Sequence, residues 1–395
     1  MKTVSVGTFE ANERVRELVG RVLDTGRISY GPLCRELERR FAELHDCRFA
    51  VLSNSGTSSL QVALQALKEL HDWQDGDEVL VPAVTFVATV NVVLHNRMTP
   101  VLVDVDPQHY DMVAAYADEA VTERTRAMIP VHLFGQPANM TALMEVAERH
   151  GLAVIEDSCE TMFVSHAGRK VGSWGDVGCF SMYVAHLLTA GVGGIATTDD
   201  PELAAKMRSL VNHGRDGIYI SIDDDDGLDA DEQHEVIARR FNFESLGHSY
   251  RITELEAAVA LGQLDDWREM IEARQHNADY LTRGLRERVG RGWLQLPAVR
   301  RSSEHAWMMY PLVMLREDKW GACNYLEGRG IETREMLRLT DQPCYRGMWN
   351  PGDYWVAQWL NQRGFYVGCH QGLSESDLDR IIEALADYCE DAGES

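Results

Sequence analysis

The sequence predicts an α/β protein with a large, mostly parallel sheet covered by helices on both faces and a smaller C-terminal α/β domain. Short β-rich runs alternate with helix-length amphipathic segments through the first half of the chain. Such alternation is typical of parallel sheets, because each return to a parallel strand needs a crossover segment. At 395 residues with 45% hydrophobic residues, the chain suits two or three domains with a large core.

The strands of the predicted sheet are seven β-rich runs, at residues 49–52, 79–81, 99–103, 127–131, 153–155, 177–180 and 194–197. Two helical patterns follow at 253–285, and a second α/β pattern begins near Trp307 and ends in an amphipathic helix at 375–388. We therefore place the domain boundary near residue 265, with a large domain at 1–265 and a small domain at 266–395.

Composition and charge exclude several classes of protein. A formal net charge of -24 repels nucleic-acid backbones and anionic lipid headgroups, so neither is an expected partner. The eight cysteines are scattered without a CxxC pair, which indicates a reducing cytoplasm and gives no iron–sulfur or zinc spacing. The N-terminus does not look like a secretion signal, and the apolar run at 79–94 is too short to span a bilayer. We expect a cytoplasmic protein with no bound metal.

An acidic stretch, ISIDDDDGLDADEQHE, occupies residues 220–235. It is too acidic to bury and has no hydrophobic period, and its carboxylates lack the fixed register of a calcium loop. We expect a solvated loop here.

The first candidate site is the turn SNSGTSS at 53–59, between the first predicted strand and a predicted helix at 60–70. Free backbone N–H groups at Gly56 and Thr57, a hydroxyl and the positive end of a helix dipole suit a phosphate monoester. The alternative is a turn that merely caps the helix.

The second candidate site is IEDSCE at 155–160, where a buried strand ends in acids, at the edge of a parallel sheet where ligands bind. A carboxylate there can keep a pyridine nitrogen protonated, as an electron-sink cofactor requires. The alternative is that Asp157 or Ser158 caps a helix.

The third candidate site lies at 178–194, where a strand delivers Ser181, a short excursion carries His186, and glycines turn the chain back. A lone histidine is usually structural, but this one lies in a loop with the features of a tight ligand-facing turn.

In this order, these motifs resemble the DegT/DnrJ/EryC1/StrS family of sugar aminotransferases, whose fold is that of fold type I enzymes dependent on pyridoxal phosphate (PLP). The resemblance runs over nearly the whole chain. It is carried by SNSGTSSL at 53–60, VPAVTFVATVNVV at 81–93, VDVDP at 103–107, VHLFGQPANM at 131–140, IEDSCE at 155–160 and GRKVGSWGDVGCFS at 168–181.

The resemblance implies a role for each matching position. Gly56, Thr57 and Ser181 would hold the cofactor phosphate, Phe86 would stack on the pyridine ring, and Asp157 would pair with the ring nitrogen. Glu160 stands where a glutamine commonly neighbours the ring hydroxyl. The resemblance also implies a homodimer with shared active sites, in which Ser249 replaces an asparagine that reaches the partner's phosphate.

The largest departure is His186, which stands where the family keeps its Schiff-base lysine. Imidazole cannot form a stable Schiff base with the cofactor, but its ordinary pKa near 6.5 suits proton transfer. This substitution resembles the nucleotide-sugar 3-dehydratases, which use pyridoxamine phosphate (PMP). It implies a dehydratase of a nucleotide-linked 4-keto-6-deoxy sugar, with PLP or PMP as cofactor and an amino donor such as glutamate. Glu160 supports this branch, whereas Val192 and Ser249 depart from the usual family pattern.

Two other functions stay open. One is an aminotransferase-like enzyme with a different carbonyl substrate or elimination reaction. The other is a noncatalytic homologue that binds a cofactor or a sugar, in which His186 records the loss of activity.

Overall fold

A computed structural model describes residues 3–216, 227–289 and 292–394. In these ranges the α-helices are α1 Glu13–Thr25, α2 Pro32–Leu44, α3 Gly56–Leu70, α4 Val87–His95, α5 Ala114–Ala120, α6 Met140–His150, α7 Pro201–Val211, α8 Ala230–Arg239, α9 Glu254–Leu264, α10 Trp267–Arg288, α11 Lys319–Glu327, α12 Trp355–Arg363 and α13 Glu375–Glu394.

The strands of the same ranges are β1 Phe49–Ser53, β2 Glu78–Pro82, β3 Thr99–Val103, β4 Thr125–Met128, β5 Ala153–Asp157, β6 Ser165–His166, β7 Arg169–Lys170, β8 Val177–Ser181, β9 Gly194–Thr198, β10 Leu294–Gln295, β11 Met309–Met314, β12 Thr333–Glu335 and β13 Gly364–Gly368.

The predicted fold class is confirmed by a seven-stranded sheet with the order β1-β9-β8-β5-β4-β2-β3. The pairings among β8, β5, β4, β2 and β3 are parallel, whereas β9 runs antiparallel to both β8 and β1. Each of the seven predicted strands forms a strand of this sheet. The fourth ends early, at Met128, before Pro130, which has no N–H to continue the ladder.

Helices cover both faces of the sheet. Successive side chains of a strand point to opposite faces, and in β2 Val79 and Val81 join one apolar cluster while Leu80 joins another. The first cluster includes the buried face of α3, and the second includes that of α6. A strand buried on both faces reads as a continuous apolar run, which explains the sequence EVLVP of β2.

The C-terminal part of the chain builds a second, antiparallel sheet with the order β10-β11-β13-β12. One side of it packs on α10 and α13 through a separate apolar cluster that includes Leu281, Tyr310 and Leu385. On its other side this sheet joins the apolar cluster of the first sheet, through Met309 and Val313 of β11. The division into two domains and the boundary near residue 265 stay predictions.

The acidic stretch at 220–235 is only partly a loop. Residues 220–226 lie outside the described ranges, but Ala230 begins α8, so the prediction of a loop is wrong for the end of the stretch. Asp229 caps this helix, and the Glu232 carboxylate accepts a hydrogen bond from the Asp229 N–H. Two acids in the first turn also suit the positive end of the helix dipole. The described residues of the stretch, 227–235, are exposed except for half-buried Leu228.

Within the described ranges, none of the helices combines the length and the apolar character that a membrane crossing requires.

Candidate active site

A cleft of about 740 Å³ opens where β5 and β8 end and where the second sheet comes close to the first. The carboxyl ends of parallel strands are the usual place for a ligand in such sheets. Seven of the eight predicted site residues line this cleft: Gly56, Thr57, Phe86, Asp157, Glu160, Ser181 and His186.

The N-terminus of α3 forms one wall of the cleft. The Ser55 side chain accepts a hydrogen bond from the Ser58 N–H at 3.1 Å, so the turn does cap the helix. Capping does not exclude anion binding, because Gly56 and Thr57 also face the cleft. A Cβ on Gly56 would lie 2.6 Å from Cys159 Sγ and 2.7 Å from Ser181 Cβ. Glycine thus brings the helix dipole and its free N–H groups against Ser181, as a phosphate cradle requires.

Phe86 and Asp157 lie in the same cleft and differ sharply in exposure. The Phe86 side chain is 59% exposed, which is unusual for an aromatic ring at a cleft wall and leaves a face open for stacking. Asp157 is 5% exposed and accepts hydrogen bonds from the Thr89 hydroxyl at 2.9 Å and the Cys159 N–H at 3.3 Å. Burial raises the pKa of Asp157. A positively charged group such as a pyridinium nitrogen would offset the cost of burying the ionised carboxylate.

The alternative role of Asp157 or Ser158 as a helix cap is wrong. Strand β5 ends at Asp157 and is followed by a turn, and no helix begins at residues 158–164. The acid cluster therefore faces the cleft instead of starting a helix.

Glu160 is held at one oxygen only. Its Oε2 accepts the Phe134 N–H at 2.8 Å, and Phe134 adopts the left-handed region at φ 59° to present that donor. Burial, opposed by this hydrogen bond, and the nearby charge of Asp157 raise the pKa of Glu160 to about 7. Near neutral pH a large fraction of Glu160 therefore carries a proton, so this carboxyl can donate a hydrogen bond into the cleft.

His186 lies on a tight loop between β8 and β9. The loop is closed by backbone hydrogen bonds from Met182 N–H to Gly193 O and from Ala190 N–H to Met182 O, both at 2.9 Å. Gly193 adopts φ 139°, and a Cβ there would lie 2.6 Å from Met182 Cε. The glycines are needed for this close return of the chain.

The imidazole of His186 is only partly open to the cleft. Its Nδ1 is buried and has no hydrogen-bond partner among the described residues, which leaves Nε2 as the nitrogen on the open side. Burial lowers the pKa of His186 to about 4; the Ser181 carbonyl opposes this shift and the positive charge of Arg274 adds to it. The ordinary value near 6.5 therefore does not hold here, and the imidazole is neutral at neutral pH.

No lysine lines the cleft in the described part of the chain. Among the described lysines, Lys319 alone is bonded to a residue of the cleft wall, Glu335, at 2.8 Å. Its side chain is fully buried behind that wall and also donates to the Asn361 carbonyl. No lysine amine of the described residues is thus placed to replace the missing Schiff-base lysine.

The second sheet supplies the outer wall of the cleft with Glu332, Arg334, Glu335 and Tyr366. Arg334 lines the cleft and also forms an ion pair with Glu332.

Ser249 does not line this cleft. Its hydroxyl accepts a hydrogen bond from Arg251 at 3.0 Å, and Arg251 also donates to Asn212 Oδ1 at 3.1 Å. A contact between Ser249 and a cofactor phosphate would need a second copy of the chain, as the resemblance implies, and stays a prediction.

Several cleft residues were not found from the sequence, including Tyr183, Met308 and Met309. Met308 and Met309 lie in an apolar strand run that predicts only a buried strand. Their place in the cleft depends on how the second sheet docks, for which a local sequence pattern gives no signal.

Comparison with known proteins agrees with this geometry. Residues 10–386 match the model of the DegT/DnrJ/EryC1/StrS aminotransferase family. The chain is 34% identical to GDP-perosamine synthase of Caulobacter vibrioides, over 97% of each chain. It is 31% identical to dTDP-4-dehydro-2,6-dideoxy-D-glucose 3-dehydratase of Saccharopolyspora spinosa, over 92% of this chain and 81% of that one.

Among solved structures, DesV of S. venezuelae in complex with a ketimine intermediate superposes with a TM-score of 0.84 at 30% identity, covering 95% of this chain and 94% of that one. The chain therefore belongs to the DegT/DnrJ/EryC1/StrS aminotransferase family, whose fold is fold type I and whose cofactor is PLP or PMP.

Proposed function

We propose that this protein is a PMP-dependent dehydratase of a nucleotide-linked 4-keto-6-deoxy sugar, with His186 as its acid/base. The observation that carries the proposal is the histidine at the catalytic position, together with the lack of any lysine among the described residues that line the cleft. An aminotransferase of this fold needs that lysine to hold and release its cofactor. A dehydratase needs only proton transfer at the same place.

The cleft residues fit PMP. The Gly56–Thr57 turn and Ser181 would hold the phosphate, the open face of Phe86 would stack on the ring, and buried Asp157 would pair with the ring nitrogen. When bound, this cofactor supplies an amine for condensation with a ketone and a ring that takes up electrons during elimination.

The chain's own part in the reaction is proton transfer and exclusion of water. Neutral His186 can accept a proton at Nε2 and return it to a leaving hydroxyl. Protonated Glu160 can hold a hydrogen bond to an oxygen in the cleft. Tyr366 and Met308 line the cleft on the side of the second sheet.

The substrate class is inferred from the relatives and from one cation. The names of two relatives, GDP-perosamine synthase and the 3-dehydratase, contain the nucleotides GDP and dTDP respectively. Arg334 at the outer wall can contact a phosphate group of such a substrate. Glutamate is the amino donor that we propose for returning the cofactor to its amine form.

The test is incubation of the purified protein with PMP, glutamate and GDP- or dTDP-linked 4-keto-6-deoxy sugars, followed by mass spectrometry. We expect a 3-deoxy ketosugar that is lighter than the substrate by one oxygen atom, with release of ammonia and conversion of glutamate to 2-oxoglutarate, because the C3 hydroxyl leaves as water and the released enamine is then hydrolysed. Gain of an amine instead would show an aminotransferase, and no turnover with retained binding would show a noncatalytic homologue. The matched control is His186→Asn, which should bind PMP and lose turnover by about 10²- to 10⁴-fold.

Borohydride treatment gives a second test of the same proposal. If cofactor is held without a covalent bond, reduction of the PLP-loaded protein leaves the cofactor removable by dialysis. Cofactor fixed to any lysine after reduction would contradict the role of His186.

We also propose a homodimer. Phe241, Phe243 and Leu246 follow α8 with side chains 75%, 49% and 90% exposed, and Ser249 lies a few residues further on. Exposed apolar groups this close together are typical of an interface. Leu246→Asp should shift the mass measured by light scattering from dimer to monomer, whereas a monomeric unmodified protein would refute the proposal.

We propose the cytoplasm as the compartment. All eight cysteines are free thiols and five of them are buried, which suits a reducing environment.

A further inference from the structure

Arg274 is a fully buried arginine behind the cleft. It lies on α10, is 1% exposed, and is among the largest fully buried side chains of the described residues. Arginine is rarely buried to this degree without a carboxylate partner.

The guanidinium of Arg274 binds only backbone carbonyls. Its Nη1 donates to Trp307 O at 3.1 Å and Met308 O at 3.0 Å, and its Nη2 reaches His186 O at 3.4 Å. Trp307 adopts the left-handed region at φ 49°, and Met308 lines the cleft. One side chain thus ties the loop of His186 to the turn before β11, on the opposite wall.

No carboxylate neutralises Arg274 within the described part of the chain. The ion pairs of that part do not include it, and its Nε is buried without a hydrogen-bond partner. Burial lowers the pKa of Arg274 to about 10, so the group is still charged at neutral pH. A buried charge without a counter-ion is costly, and its field is weakly screened.

The cleft also holds acids, whose negative charge would favour a protonated imidazole. These are Asp157 at the end of β5, Glu160 after it, and Glu332 and Glu335 at the second sheet. Arg334 is paired with Glu332. Tyr183 lies on the loop of His186, with the two rings edge to face at 5.6 Å.

We propose that Arg274 is a positioning residue, which fixes the backbone of His186 and, as an unneutralised buried cation, adds to burial in disfavouring a protonated imidazole. The role of His186 in catalysis rests on the proposed function, but the effect of Arg274 on His186 does not. A measurement on the cofactor-free protein therefore tests this inference separately.

The experiment follows the His186 ring by NMR in full-length protein labelled at histidine, with the signal assigned by its loss in His186→Asn. In the unmodified protein the ring should titrate with a midpoint of about 4, so spectra are recorded from about pH 3 to 8. Arg274→Gln keeps N–H donors for the carbonyls but removes the charge, and should raise the titration midpoint by about one pH unit. Arg274→Lys keeps the charge and should leave the midpoint unchanged.

The matched control is Arg283→Met, which removes an exposed cation from the same helix about 13 Å further along. It should leave the His186 titration unchanged. An unchanged midpoint in folded Arg274→Gln overturns the inference. If that variant does not fold, Arg274→Lys still decides, because a raised midpoint with the charge retained contradicts the proposal.

Activity separates the two proposals. If the NMR result holds but no keto sugar is dehydrated, the proposed function fails and the role of Arg274 stands. If dehydration is seen, Arg274→Gln should lower kcat with little change in KM, as expected for a residue that positions the base and does not bind substrate. The ring is neutral at neutral pH in both proteins, so this loss reports the position of His186 and not its protonation.

Discussion

His132 Nε2 donates a hydrogen bond to Glu156 Oε2 at 3.0 Å, and both side chains are fully buried. The tautomer follows from the other ring nitrogen, since Nδ1 accepts the Ala138 N–H at 2.9 Å and cannot carry the proton. Glu156 precedes Asp157 on β5, so this pair lies directly beneath the floor of the active site.

Glu156→Gln should destabilise the protein. The carboxylate also accepts N–H groups from Gly172, Trp174 and Gly175 at 2.7–2.9 Å, so every acceptor position faces a donor. The NH₂ group of glutamine would face backbone N–H donors and find no acceptor there, which should lower the free energy of unfolding by about 3 kcal/mol. Urea unfolding measures the change. Glu148→Gln, at an exposed position, is the control and should change the free energy of unfolding by under about 0.5 kcal/mol.

Glu160→Gln should stabilise the protein in a pH-dependent way. The pKa of Glu160 is about 7 in the folded state, against an ordinary value of 4.5. The folded state therefore binds the proton more tightly, and stability falls as pH rises from the unfolded pKa through the folded pKa. The gain from glutamine should be under about 1 kcal/mol near pH 5 and reach roughly 3 kcal/mol above about pH 7.5.

Urea unfolding at both pH values measures this difference. Exposed Glu148→Gln again serves as the control, and its effect should not change with pH. A gain from Glu160→Gln that is the same at both pH values would show that Glu160 is ionised throughout.

Gly56→Ala should block the phosphate cradle. The added Cβ would lie 2.6 Å from Cys159 Sγ and 2.7 Å from Ser181 Cβ, so α3 must move away from Ser181. We expect PMP affinity to fall at least about tenfold and stability to fall by about 1–3 kcal/mol. Titration of PMP followed by fluorescence measures the first effect. Gly20→Ala is the control: nothing lies near its Cβ position in α1, so it should leave affinity unchanged and add up to about 1 kcal/mol of stability.

Phe86→Ala should weaken cofactor binding with little effect on folding. Its ring is 59% exposed, so its removal leaves no buried cavity, but a stacking face is lost. We expect a decrease in PMP affinity of about tenfold and a change in melting temperature of under about 2 °C. Tyr116→Ala, at another exposed aromatic ring, should affect neither quantity. Unchanged affinity in Phe86→Ala would mean that the cofactor does not stack on this residue.

Much of the fold could be read from local patterns. Each of the seven predicted strands exists, because buried parallel strands are continuous apolar runs bounded by turn residues. Helix α8 was missed because the acidic residues around it carry no apolar period. Its start depends on the capping box at Asp229 and Glu232 and on one buried residue, Val236.

The candidate site divides in the same way. Some of its residues could be named from local motifs, because they lie at a helix start, near a strand end or on a glycine-rich loop: Gly56, Thr57, Asp157, Glu160, Ser181 and His186. Phe86 was named through the family resemblance alone. Arg274 and Met308 could not be named, since they belong to segments that read as ordinary helix or strand. They reach the site only when the second sheet docks on the first.

The sequence by itself determined three functional motifs and their order along the chain. These are a turn suited to phosphate, an acid at the end of a buried strand, and a histidine where the family has lysine. Tertiary structure alone decided the protonation of these groups. Desolvation, and the field of a charge that is distant only in sequence, depend on which atoms surround a side chain. A neutral His186 and a proton-bearing Glu160 therefore arise from packing and not from any local pattern.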